Sequence, residues 1–153
     1  MNGNGYNIRR WPIEALRIYT GVFFLYHGFN KLTGENPFNV TGFLGMVKEN
    51  SFGFYQPLID SVFVPNAGLF SGLVAWGELL VGIALVLGLA TRYAAFAGAF
   101  MLANFWFAKG QSIFNGQNHD AIWVAIFLVL ALVPAGKTLG LDKTLAERFS
   151  FLR

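Results

Sequence analysis

Hydrophobic and polar positions divide this chain into four long apolar stretches, separated by short polar breaks and one longer mixed segment. The stretches run from about Trp11 to Leu32, Ala67 to Ala90, Tyr93 to Ala108 and Ala121 to Val133. His119 and Asp120 extend the last one as its first turn, and Pro134 ends it. A helix that crosses a membrane needs about 20 mostly apolar residues, and shorter ones are tolerated where helices pack together. The pattern therefore predicts an all-α, integral membrane four-helix bundle, a single domain with spans at 11–32, 67–90, 93–108 and 119–135. Residues 33–66 are expected as an external loop and 136–153 as a cytoplasmic tail.

Within the loop, Val40, Phe43, Leu44 and Val47 recur at helical spacing, with Lys48 and Glu49 just beyond. This is the pattern of a short amphipathic helix lying on a membrane surface. Phe52, Phe54 and Tyr55 follow as an aromatic cluster, read first as an interfacial anchor and otherwise as a lid or a docking face. Pro37, Pro57 and Pro65 punctuate the segment.

Composition sharpens the membrane reading. The 153 residues are 55% hydrophobic and only 12% charged, with mean hydropathy +0.50. Soluble domains average about a quarter charged residues, so this chain lacks the charge to cover a water-facing surface. The net charge of +3 is spread between apolar runs, which argues for membrane anchors and against nucleic acid as a partner. Arg9, Arg10, Arg92, Lys137, Lys143, Arg148 and Arg153 fall on one side of the expected spans, and Lys31, Lys48 and Lys109 on the other. Positively charged flanks stay in the cytoplasm, so both termini are expected there. The first stretch contains Glu14 and Arg17 and lacks a small-x-small cleavage site before Lys31, so it reads as an uncleaved span. With no cysteine, redox chemistry would need a bound cofactor or another subunit.

Small residues suggest close helix packing: Gly21 and Gly28, Gly68 and Gly72, Ala94 and Gly98, and Ala95, Ala99 and Ala103. Charges inside the stretches mark the candidate chemistry, because each is costly at bilayer depth and needs a partner within the protein. At about 1.5 Å of rise per residue, Arg17 lies roughly 9 Å and Glu78 roughly 15 Å from the cytoplasmic side. Arg17 and Glu78 are thus expected to face each other, with Glu14 as a second partner for Arg17. The pair would either fix helix register or, with His27 and Asn104 in the polar core, form a site for a quinone or lipid headgroup. An outer group of Lys31, Lys109, His119 and Asp120 gathers at the opposite rim, with Asp120 expected to pair with Lys31 or Lys109. A haem held by His27 and His119 is disfavoured by the exposure expected of His119 and by the lack of an attachment motif. No metal site is expected. A transport pathway is disfavoured too, because short spans leave little room for a polar route.

These residues carry a resemblance. The stretch Arg17-Ile18-Tyr19-Thr20-Gly21 through His27-Gly28-Phe29-Asn30-Lys31, then Gly77-Glu78-Leu79-Leu80-Val81-Gly82, resembles the DoxX family of four-helix bacterial membrane proteins. Leu87-Gly88-Leu89-Ala90-Thr91-Arg92, Asn118-His119-Asp120 and Gly136-Lys137-Thr138-Leu139-Gly140-Leu141-Asp142 continue the likeness, which extends from about Ile13 to Asp142. The resemblance implies a bacterial inner-membrane protein and places Arg17, Lys31, Glu78, Arg92, Asp120 and Asp142 at the family's polar positions. Because the wider family includes the large subunit of thiosulfate:quinone oxidoreductase, it also implies a membrane subunit of a quinone-linked redox system. The alternative is a non-catalytic accessory subunit of a larger respiratory or photosynthetic complex. Membrane lipids and other membrane subunits are the expected partners, and a non-covalent quinone the expected cofactor.

Overall fold

The computed structural model describes residues 11–35 and 37–145; Arg9, Arg10, Arg148 and Arg153 lie outside them. Every regular element among these residues is helical. The helices are α1 (Trp11–Thr33), α2 (Val40–Val47), α3 (Gln56–Leu58), α4 (Ala67–Leu87), α5 (Thr91–Lys109), α6 (His119–Leu132) and α7 (Leu141–Leu145). A π-helical turn, Ile59–Phe63, continues α3.

Helix α4 ends at Leu87 because Gly88 takes up the left-handed conformation (φ 63°), and its N–H returns to the last carbonyls of the helix. Ala90 is also left-handed (φ 47°), which turns the chain within three residues into α5. The first turn of α5 is closed from elsewhere: the Asp142 carboxylate accepts from the N–H groups of Ala90 and Thr91.

Helices α1 and α4 run antiparallel with their backbones nearly touching. A Cβ at Gly21 would meet Val86, one at Gly28 would meet the backbone of Leu79, and one at Gly82 would meet the backbone of Leu25. Successive contacts along α1 therefore climb down α4 in a single register. By contrast, Gly68 and Gly72 face open space, so their spacing of four does not mark a helix contact. On the other side of the molecule, Gly98 of α5 takes the ring of Phe127 from α6. Phe24, Leu85, Ala95, Phe127 and Leu130 form the main apolar core.

Helix α2 departs from its expected placement. Its apolar residues Val40 and Leu44 are buried against the protein, and the backbone N–H of Val40 donates to Ser71 Oγ of α4. The periodic face is covered by α4 and α5 instead of by a membrane surface, and Met46 is what points outward.

The polarity of the long helices is inside out. On α4 the exposed residues are Leu69, Leu73, Trp76, Leu80, Ile83 and Leu87, at alternating spacings of three and four. Meanwhile Arg17 and Glu14 on α1 are 0% and 1% exposed. Among the described residues, helix α4 alone is long and apolar enough by composition to cross a membrane, and α6 is apolar but shorter.

Candidate functional site

Two buried polar groups stand at opposite ends of the long helices. At the first, Arg17 Nε donates to Glu14 Oε2 at 2.8 Å, one helical turn away on the same face. The other guanidinium nitrogens reach the carbonyls of Leu85, Val86 and Leu139. Leu85 and Val86 close α4, so the cation meets the helix end where unpaired carbonyls accumulate. Glu14 in turn accepts from the backbone N–H of Gly136 and of Thr138. Gly136 (φ 90°) fits beneath Thr91 and Asp142 where a side chain would collide. Each charged atom of Glu14 and Arg17 thus has a partner, and segment 136–142 is strapped across the ends of α1, α4 and α5.

At the other end, Lys31 Nζ contacts Glu78 Oε1 at 2.5 Å. The ammonium also lies 4.8 Å from the ring centroid of Phe38 and 5.4 Å from that of Phe105, where the ring faces favour a cation. Glu78 is buried, and its second oxygen finds no hydrogen-bond donor among the described residues. Lys109 and Asp120 form a further ion pair at 2.7 Å, joining α5 to α6.

Beside the Lys31–Glu78 pair is a cavity of about 410 Å³ between α4 and α5, roofed by α2 and the segment from Tyr55 to Phe63. Its walls are almost wholly apolar, with Phe43, Phe63, Phe70, Phe100 and Phe105 among them. Phe105 is shared, since the same ring lies under Lys31. One polar pair interrupts the lining: Tyr55 Oη donates to Asn104 Oδ1 at 2.5 Å. Burial pushes the Tyr55 phenol up to about 12, because the phenolate would lose its hydration there. Within the aromatic cluster of the loop, Tyr55 turns inward (5% exposed) while Phe54 turns outward (69%).

The DoxX family pattern matches residues 13–111, well over half of the chain. The chain belongs to the DoxX family. It is therefore a membrane protein. The chain is also 35% identical over 91 residues to undecaprenyl-diphosphatase of Mycobacterium leprae, in strains Br4923 and TN. That stretch covers 53% of this chain and 32% of the mycobacterial protein, so the DoxX chain matches only about a third of that relative's length. No solved structure matches it.

The structure of this DoxX protein redraws the expected pairings. Arg17 does not face Glu78: it takes Glu14 and the α4 carbonyls, and Glu78 takes Lys31. The expected heights do not hold: the α1–α4 register sets Arg17 beside Leu85 and Val86, about two turns of α4 beyond Glu78 and out of its reach. His27 is exposed on α1 with its ring 4.3 Å from that of Phe23, apart from the buried pairs, and His119 is exposed at the start of α6. Asp120 takes Lys109 of the two partners considered for it. Arg92 is exposed near Lys137 and Asp142 around a small surface cleft, while Asp142 is buried as the cap of α5. Asn104 reaches the cavity through Tyr55, a partner that helical spacing cannot supply because it comes from the loop.

Proposed function

We propose that this DoxX protein is a multi-pass protein of the bacterial inner membrane, with α1, α4, α5 and α6 crossing the bilayer and both termini in the cytoplasm. It serves as the membrane subunit of a quinone-linked redox system and holds the quinone in the aromatic cavity between α4 and α5. The observation that carries this reading is the cavity itself: about 410 Å³ falls within the usual range for small-molecule sites, and its aromatic walls suit a flat ring.

The placement in the membrane draws support from the outward apolar faces, which lipid would cover. Helices α1, α4 and α5, with 23, 21 and 19 residues, reach ~34, ~31 and ~28 Å, matching a hydrocarbon core of about 30 Å. Sidedness rests on Arg92, Lys137 and Lys143 at the Arg17 end, against lysines that are each paired with a carboxylate at the other.

Native purification followed by extraction and mass spectrometry tests the reading. Wild-type protein is expected to retain a quinone, and Val62→Trp, which fills the cavity, to lose it. Wild type carrying no quinone above the level in the surrounding detergent would end this reading.

A second reading, a non-catalytic accessory subunit of a larger respiratory or photosynthetic complex, is favoured by the aromatic seam of Tyr19, Phe23 and Trp123 where α1 meets α6. Such a seam offers rings to partner helices. Co-purification with a complex whose turnover survives Val62→Trp would favour that reading over the first.

A further inference from the structure

We infer that the cavity selects an uncharged amphiphile, recognising a single terminal oxygen, carbonyl or hydroxyl, through the Tyr55–Asn104 pair, and that it rejects chains ending in phosphate or diphosphate. This rests on the ligand-binding reading above and narrows it to a substrate class.

The first argument is the valence of the pair. Tyr55 spends its proton on Asn104 Oδ1, so its oxygen keeps lone pairs that can accept. Asn104 spends one amide proton on the carbonyl of Phe100, which leaves the other to donate. One donor and one acceptor thus stand together in a wall that is otherwise apolar. A carbonyl oxygen takes the donor, and a hydroxyl takes both. The pair therefore accommodates either oxidation state of a ring that interconverts the two, and equally the end of a long-chain alcohol. Because burial keeps the phenol protonated throughout the physiological range, this valence does not change with ordinary shifts of pH.

The second argument is charge. A phosphate or diphosphate needs unpaired cations or aligned backbone N–H groups. At this end of the described residues the lysines are all taken: Lys31 by Glu78, Lys48 by Asp60 and Lys109 by Asp120. The described arginines, Arg17 and Arg92, lie at the far end, with Arg17 saturated by Glu14 and carbonyls. Likeness to undecaprenyl-diphosphatase over a third of that protein would by itself point to a polyprenyl diphosphate. The paired lysines point instead to the uncharged form of such a chain.

The test uses the full-length protein in lipid nanodiscs and measures equilibrium binding by tryptophan-fluorescence quenching or by competition. The probes are decylubiquinone, undecaprenol and undecaprenyl phosphate. Wild type is expected to bind one or both uncharged probes, and the phosphate at least about tenfold more weakly. Tyr55→Phe, which removes one hydroxyl and little else, and Asn104→Leu are each expected to weaken the uncharged probes about five- to tenfold. Preference between decylubiquinone and undecaprenol identifies whether a ring or an isoprenoid alcohol is the natural occupant. Equal binding of phosphate and alcohol, or unchanged affinity in both variants, would overturn the inference while leaving a cavity ligand intact. Failure of wild type to bind any uncharged probe would overturn the parent reading instead.

Discussion

The two buried polar ends of this protein contain similar residue types and behave as opposites. Around Arg17 and Glu14, every charged atom has a partner, most of them backbone groups from distant parts of the chain, and neither residue lines the small surface cleft at that end. At the other end, Glu78 keeps an oxygen without a donor, and around Tyr55 and Asn104 an amide proton and phenolic lone pairs stay available with a void alongside. Buried polarity that is saturated holds helices in place; buried polarity left incomplete beside open space can receive something. Burial of a charge alone, the property that first draws attention to both ends, does not separate the two.

Replacing Arg17 with alanine breaks the comparison most severely. It leaves Glu14 buried without its counter-charge and frees the α4 carbonyls, so a loss of about 3–5 kcal/mol is expected in denaturant titrations of the purified protein. A variant that kept full stability would show that the Arg17 end is not the architectural one. Gly82→Val drives a side chain into the backbone of Leu25 and should cost about 3 kcal/mol in the same titration. Glu78→Gln is expected to cost only about 1–2 kcal/mol, since Lys31 is partly exposed and can find water, while quinone retention changes more than stability does. Equal losses for Arg17→Ala and Glu78→Gln would erase the distinction between the ends.

The smallest effect concerns Tyr55. Its folded-state value, near 12, lies above the ordinary 10, so the folded protein holds this proton more tightly than the unfolded chain does. The corresponding stability is fully present below pH 10 and is lost as the pH rises from 10 toward 12. Tyr55→Phe should flatten that part of the stability–pH curve, and an unchanged slope would count against burial of the phenol.

Much of the fold was legible in the sequence, because apolar runs bounded by glycine, proline and charge reveal helices directly. Trp11–Thr33 and Thr91–Lys109 begin and end within a residue or two of the apolar stretches. The glycines that bring α1 and α4 together were visible as small residues, but so were Gly68 and Gly72, which touch nothing. Spacing shows that a close approach is permitted, not that it occurs.

Pairings were far less legible. Arg17 and Glu78 stand out as costly charges, yet their true partners depend on the register between α1 and α4 and on segments that fold back from 47 to 122 positions away. In the sequence Tyr55 is only one of three clustered aromatic residues, since nothing local distinguishes the ring that turns inward from Phe54, which turns outward. The signal that could have singled it out is Asn104, an uncharged polar residue in the apolar half of α5 that needed a partner from somewhere.

The strap formed by Gly136 to Asp142 bears on biogenesis. Arg17 and Glu14 leave the ribosome more than a hundred residues ahead of the Leu139 carbonyl and the Gly136 and Thr138 amides that complete their shell. Helix α1 must therefore wait in the translocation machinery, or beside water, with its ion pair only half enclosed. A nascent chain released before Gly136 would leave that enclosure open, a natural mark by which quality-control proteases could distinguish unfinished copies from finished ones.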